Sequence, residues 1–270
     1  MQGNTQEKLN MCVNYTIQSG VQPIEVLLQP IYDCYGAEAI AYKALVRVNS
    51  IVSGVLMPDD YINGTADEEL LNQLTFRAIR KVAQAKARLE SANVKFRRLY
   101  VRCPSSFIYA QDLYANLKLL LAEQGVTDTK ICLEFDAPVM ETESAKLQQC
   151  FSDIRAAGLK VAVNGYGGQG FSIEKLLRAC PDHLFADETL AQLAVDREKR
   201  TALPPLINFA KSLGSDVIAC GIRSDEQLRE FRSRDCYGFV PNRHYKGAFT
   251  VESEGKTVHE FLTCGGENDQ

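Results

Sequence analysis

Residues 165–170 read Gly-Tyr-Gly-Gly-Gln-Gly, a G-x-G-x-x-G run between the apolar stretch Leu159–Val163 and the helical stretch Ser172–Ala179. Asp187 follows 22 residues after Gly165. This is the pattern of a dinucleotide site: glycines let the backbone approach a pyrophosphate, and an acid about 20 residues on holds a ribose. Two features count against it. Four strand signals precede the motif, whereas a nucleotide-binding unit usually opens its own domain, and the helix behind it is short, ending by Pro181. The other reading is a loop whose glycines permit positive φ. Cysteine chemistry is no better supplied. The nine cysteines stand singly at 12, 34, 103, 132, 150, 180, 220, 236 and 264, none in C-x-x-C, beside only three histidines. That spacing argues against a disulfide framework or a structural zinc site and fits a reducing cytoplasm.

The chain must position whatever chemistry it has within 270 residues, 46% hydrophobic and 24% charged, enough for one large core. Thirty Lys and Arg against 34 Asp and Glu give a net charge of -4, which excludes a broad nucleic-acid surface or an electrostatic membrane anchor. No apolar run approaches the roughly 20 residues of a membrane span, and the start, MQGNTQEKLNMCVNYTIQ, lacks the pattern of a secretory signal.

Strand signals at Ile24–Ile31 and Ala39–Val48 come first. The apolar spacing then predicts a helix over Asp67–Ser91, acidic at its start and basic later, which complements the helix dipole. Beyond it the pattern alternates. Strands are predicted at Arg98–Cys103, Lys130–Phe135, Leu159–Val163, His183–Ala186, Asp216–Cys220 and Tyr237–Val240. Helices are predicted at Ser106–Gln124, Glu141–Ala157, Ser172–Ala179, Leu190–Leu213 (broken near Pro204-Pro205) and Ser224–Ser233. Strand-then-helix repetition with short links implies parallel strands covered by helices. About eight strands in this length is the size of a (β/α)8 TIM-like barrel, of the α/β class. The reading divides the chain into a lead (1–23), one barrel (24–250) and a frayed tail (251–270).

Six segments, in order, carry a resemblance: Leu28-Gln29-Pro30-Ile31; Lys43-Ala44-Leu45-Val46-Arg47, fourteen residues after Gln29; Met57-Pro58-Asp59-Asp60-Tyr61-Ile62; Leu133-Glu134-Phe135; Asn164-Gly165-Tyr166-Gly167 running into Gly170-Phe171-Ser172; and Ala219-Cys220-Gly221-Ile222 with Asp225-Glu226-Gln227-Leu228. Read on the barrel rhythm, residues 24–243 resemble the EAL domain, the phosphodiesterase fold that opens the bacterial messenger cyclic di-GMP. The resemblance implies an EAL-type barrel whose mouth gathers oxygen ligands around two divalent cations. This sequence departs from that pattern. Lys43 stands for the glutamate of the signature, Arg102 for the asparagine of the next strand, and Asn164 and Gly165 for the paired aspartates. Phe185 stands for a lysine, Cys220 for a later glutamate and Tyr237 for a glutamine, while Glu134 and Asp187 are kept. Lysine and arginine have no lone pair for a metal. Even at an effective dielectric of 20, like charges about 4 Å apart repel by on the order of 4 kcal/mol. The resemblance therefore implies a non-enzymatic member with no metal and no cofactor.

Lys43, Leu45 and Arg47 share one strand face, and by analogy it points inward. The expectation is that Lys43 and Arg102 flank Glu134, replacing the missing cation with an ion pair, unless these are merely solvated rim groups. Glu38, in the look-alike Glu38-Ala39-Ile40, falls on the opposite face from Lys43. By resemblance Gln29 lies near a guanine and Arg47 near a phosphate, and Arg47, Lys43 and Arg102 together suit a dianionic ligand. Tyr166 and Phe171 could stack a base or simply pack. Cys220, at a strand end, lacks a paired histidine among His183, His244 and His259, so an inert thiol is expected. The implied role is metal-independent cyclic di-GMP receptor or regulator in the cytoplasm. The alternative is a module for a regulatory protein partner, for which Arg197–Arg200 and the basic face of Arg77–Arg88 offer charge. A homodimer through the glycine loop and its helix follows by analogy only.

Overall fold

A computed structural model describes residues 24–35, 38–50, 54–64 and 67–246. The lead, the last four residues assigned to the barrel (247–250), the whole tail, Cys12, Cys264 and His259 lie outside them, as does the side chain of His244. Strands β1 (Ile24–Tyr32), β2 (Ala39–Ser50) and β3 (Gly54–Leu56) lead into α1 (Pro58–Gly64) and α2 (Glu68–Ser91). There follow β4 (Arg98–Cys103), α3 (Leu113–Glu123), β5 (Ile131–Phe135), α4 (Ser144–Ala156), β6 (Lys160–Tyr166), α5 (Ile173–Ala179), β7 (His183–Ala186) and α6 (Glu188–Leu193). The series ends with α7 (Leu203–Ser212), β8 (Asp216–Ser224), α8 (Asp225–Arg232) and β9 (Gly238–Lys246).

The sheet runs β1-β9-β8-β7-β6-β5-β4-β2-β3 and closes through β1 on β2, giving an eight-stranded barrel with β3 added beside β2. The closed α/β barrel is as the strand–helix rhythm implies. The expectation of parallel strands holds for β2 and for β4 through β9, but not for β1, which is antiparallel to both neighbours, nor for β3, antiparallel to β2. For β1 the reason is chain length: only six residues separate it from β2, and a crossover of a dozen or more would be needed to make them parallel.

Each barrel strand sends one side chain into a single interior cluster: Ile31, Ala41, Tyr100, Cys132, Ala162, Phe185, Ile218 and Val240. The opposite strand faces pack against the helices as a second, larger core. Period-2 alternation thus divides every strand between two cores. Because β2 and β4 to β9 are parallel, their C-terminal ends share one mouth and their N-terminal ends one base. The β1–β2 ribbon stands above that mouth, pairing Gln29 with Lys43, Leu27 with Leu45 and Glu25 with Arg47.

Three predicted helices needed correction. The Ser106–Gln124 helix is a 3-10 turn at Ser105–Tyr109 followed by α3, separated where Asp112 takes a left-handed φ of 49°. The Glu141–Ala157 helix begins late, after another 3-10 turn at Ala137–Glu141. The break in Leu190–Leu213 precedes the prolines, since Pro204 and Pro205 fall in the first turn of α7, where a missing N–H costs no hydrogen bond.

Candidate functional site

The glycine run has a structural role in this fold. Gly165, at φ 88°, sits in a register shift of β6, and a Cβ there would lie 3.1 Å from that of Ala137. Gly167, at φ 82°, lets the loop pack on Leu190, which a Cβ would meet at 2.8 Å. Asp187 caps α6, accepting from the Thr189 N–H at 2.9 Å. These residues shape the junction of β6, β7 and α6, with the acid committed to a helix end.

At the mouth, Lys43 of β2 and Glu134 of β5 lie on inward faces, with β4 between them. Lys43 Nζ donates to Glu134 Oε1 at 2.7 Å, and the two side chains are 17% and 1% exposed. The ammonium also lies 4.4 Å from the centre of the Phe185 ring, a cation–π contact from β7. Burial, the largest single influence, would lower the Lys43 pKa, but the charge and hydrogen bond of Glu134, with Cys220 and Asp136, together outweigh it and the net shift is upward. Lysine is therefore held as the cation. The second carboxylate oxygen, Oε2, is buried with no hydrogen-bond partner among the described residues.

Arg102 does not complete the expected trio. Although Arg102 and Glu134 are register partners on β4 and β5, the guanidinium reaches past Glu134 toward the mouth. Nε and Nη2 donate to Asp136 Oδ2 at 2.8 and 2.6 Å, and Nη1 donates to Asp59 in the first turn of α1. Two causes suffice. Lys43 already holds Glu134, and the arginine stem spans the one strand repeat, about 7 Å, between Glu134 and Asp136. Asp136 Oδ1 also accepts from Asn164 Nδ2 at 3.3 Å, so the residue replacing one paired aspartate is drawn into the same network.

Arg47 lies on the ribbon above the mouth, with Nε donating to Glu25 at 2.6 Å. Gln29 is half-buried opposite Lys43. Phe171 lies elsewhere: it packs on the helix-facing core, edge-on to Tyr166 at 5.3 Å. Tyr166 is itself buried and donates to the Leu206 carbonyl at 2.6 Å. The packing alternative therefore describes both aromatics. Glu38 lies just ahead of β2 and is exposed. Burial pushes the Cys220 thiol up to about 12, only partly opposed by Lys43, so it stays protonated. Tyr237 precedes β9 and packs at the base against His183, with ring centres 5.0 Å apart.

Sequence reading missed three carboxylates, Glu25, Asp59 and Asp136. Two had a signal. Asp136 follows Glu134 by two residues, and once Gln29 faces Lys43 across an antiparallel pair, Glu25 must face Arg47. Asp59 had none, because its approach to Arg102 depends on how α1 is folded over the strand ends.

Solved structures share this architecture at low sequence identity. The EAL domain of Xanthomonas citri FimX, in complex with c-diGMP, superposes with a TM-score of 0.73 at 15% identity, covering 88% of this chain and 92% of that one. A manganese/cy-diGMP complex of Klebsiella pneumoniae BlrP1 gives 0.68 at 20% identity, covering 82% of this chain and 55% of that one. Among curated proteins, the cyclic di-GMP phosphodiesterase NbdA of Pseudomonas aeruginosa is 23% identical over 215 residues, 79% of this chain and 27% of NbdA. The chain thus spans about a quarter of that relative's length. Residues 18–239 match the family model of the EAL domain, and the chain belongs to that family.

Proposed function

We propose that this EAL domain is catalytically silent and serves bacterial signalling as a metal-independent receptor for cyclic di-GMP. The observation that carries the silence is the Lys43 ammonium seated on Glu134 at 2.7 Å. A divalent ion at that carboxylate would meet a buried positive charge. The surrounding donors support the same reading. Among the described residues no three His, Cys, Asp or Glu side chains converge as metal ligands, and Arg102 occupies Asp136. The residues present do not fit the two-cation site of the family, and no hydrolytic step runs through it.

Receptor chemistry is supported by a division among the mouth cations. Lys43 is tied to a carboxylate that is 1% exposed, whereas the partners Glu25 and Asp59 are 46% and 75% exposed. Exposed pairs contribute little and exchange readily. A phosphate dianion can therefore displace Glu25 from Arg47 and Asp59 from Arg102, while charge-assisted bonds to guanidinium replace what is lost. Gln29, beside Lys43, offers an amide to a base edge. The same pairing favours a second reading, a protein-interaction module: each of these cations is already neutralised from within the chain and requires no ligand.

Calorimetric titration of cyclic di-GMP with EDTA present, beside a hydrolysis assay in magnesium or manganese, separates the readings. Binding without turnover is expected. Neither binding nor turnover would leave the interaction module, and turnover would overturn the silent site.

A further inference from the structure

The two carboxylates that hold Arg102 are unequal. Asp136 is 28% exposed, takes both Nε and Nη2 on one oxygen, and has its other oxygen on Asn164. Asp59 is 75% exposed and takes only Nη1. Its neighbour Asp60 is otherwise engaged, accepting from the Met57 N–H at 2.7 Å. The helix that carries both is anchored independently: Tyr61 is buried and donates to the Val46 carbonyl of β2 at 2.9 Å. Asp59 can therefore leave Arg102 without undocking α1.

We propose that Asp59 is a built-in competitor for the anionic ligand, occupying the one guanidinium edge of Arg102 that Asp136 leaves free. This rests on the receptor reading and adds its regulation. In the unliganded chain the tethered Asp59 carboxylate sits on Nη1, and a phosphate oxygen takes that position only when Asp59 swings out. Affinity for the ligand is reduced by the fraction of molecules in which Asp59 is engaged. Since an exposed pair of this kind is weak, removing the competitor tightens binding about two- to fivefold. A phosphate group is the ligand class that suits the site, because it presents charge and acceptor oxygens to Nη1 as a carboxylate does.

The test compares the wild-type chain, Asp59→Asn and Asp60→Asn, titrated with cyclic di-GMP in EDTA, each first checked by thermal melting. Asp60→Asn removes the same formal charge one residue away and controls for bulk electrostatics. Tighter binding by Asp59→Asn with Asp60→Asn unchanged supports the competitor, as does binding by Asp59→Asn alone. Wild-type binding with Asp59→Asn equal or weaker overturns the competitor and leaves the receptor standing. Equal tightening by both variants also overturns it, because the effect would then be net charge. Binding by none of the three overturns the receptor reading, and the competitor with it.

Discussion

Buried ionisable groups at the two ends of the barrel interior, Lys43 at the mouth and His183 at the base, are handled in opposite ways. At the mouth, charge is kept and matched: Lys43 lies on Glu134, and Arg102 between Asp136 and Asp59. At the base, beside the Lys160–Asp182 pair, one buried ionisable group takes the other route. His183 is 3% exposed and sits edge-on between Tyr100 and Tyr237, at 5.6 and 5.0 Å between ring centres. Burial first, then the nearby Arg98, lowers its pKa to about 4, only partly opposed by Asp182, so the ring is neutral at pH 7. An ionisable group in the interior survives either by finding a counter-charge or by giving up its proton. Lys43 thus keeps its charge despite the desolvation cost, whereas His183 gives its charge up.

Breaking the mouth pair is the largest expected effect. Lys43→Ala strands a carboxylate that is 1% exposed, and loss of one partner from a buried pair costs about 3–5 kcal/mol. Urea unfolding should show that loss, and Lys43→Met combined with Glu134→Leu should recover most of it, since apolar replacement of a whole pair is often neutral. A loss below about 1 kcal/mol for Lys43→Ala would place the pair among exposed ones and erase the contrast with the base.

The base carries the next effect, through pH. Above the unfolded-chain value of 6.5 both states hold neutral His183, and its contribution is complete. As pH falls from 6.5 to about 4 the unfolded chain takes a proton that the folded chain refuses, so stability declines. Below about 4 both states are protonated and this slope ends. The shift corresponds to about 3 kcal/mol. His183→Phe should abolish that part of the pH profile while the carboxylate titrations remain, and an unchanged difference curve would mean that His183 takes its proton as readily in the fold as in the unfolded chain.

How much of this was legible follows from what strand alternation can and cannot convey. Arg98–Cys103 and His183–Ala186 match β4 and β7 because short apolar runs bounded by turns have one reading in a barrel. The 3-10 turn at Ser105–Tyr109 merged with the following helix because Phe107 and Ile108 are buried as a helix face would be, and apolar spacing does not report the reversal at Asp112. In the site, alternation placed Lys43 and Glu134 on inward faces and the strand order brought them together. It could not say how far a long side chain travels along its strand. Arg102 faces the same interior as Glu134, yet it bonds Asp136 and Asp59, because the nearer carboxylate was already occupied.

The smallest effect sharpens the contrast within the mouth itself. Glu25 and Arg47 are register partners on the ribbon above the barrel, and the Glu25 side chain is 46% exposed. Glu25→Gln keeps the side-chain shape and an acceptor oxygen for Arg47 while removing the charge. Water and salt already screen this pair, so the substitution should lower stability by about 0.5 kcal/mol or less. The difference should shrink further in 0.5 M salt, where Lys43→Ala should keep nearly its full cost because screening does not reach a buried pair. Paired thermal melts of the two variants at low and high salt measure both slopes. If Glu25→Gln loses as much as Lys43→Ala, the ribbon pair is as desolvated as the one below it. Arg47 would then be unavailable to a phosphate, and the division between fixed and exchangeable cations would fail at its outer end.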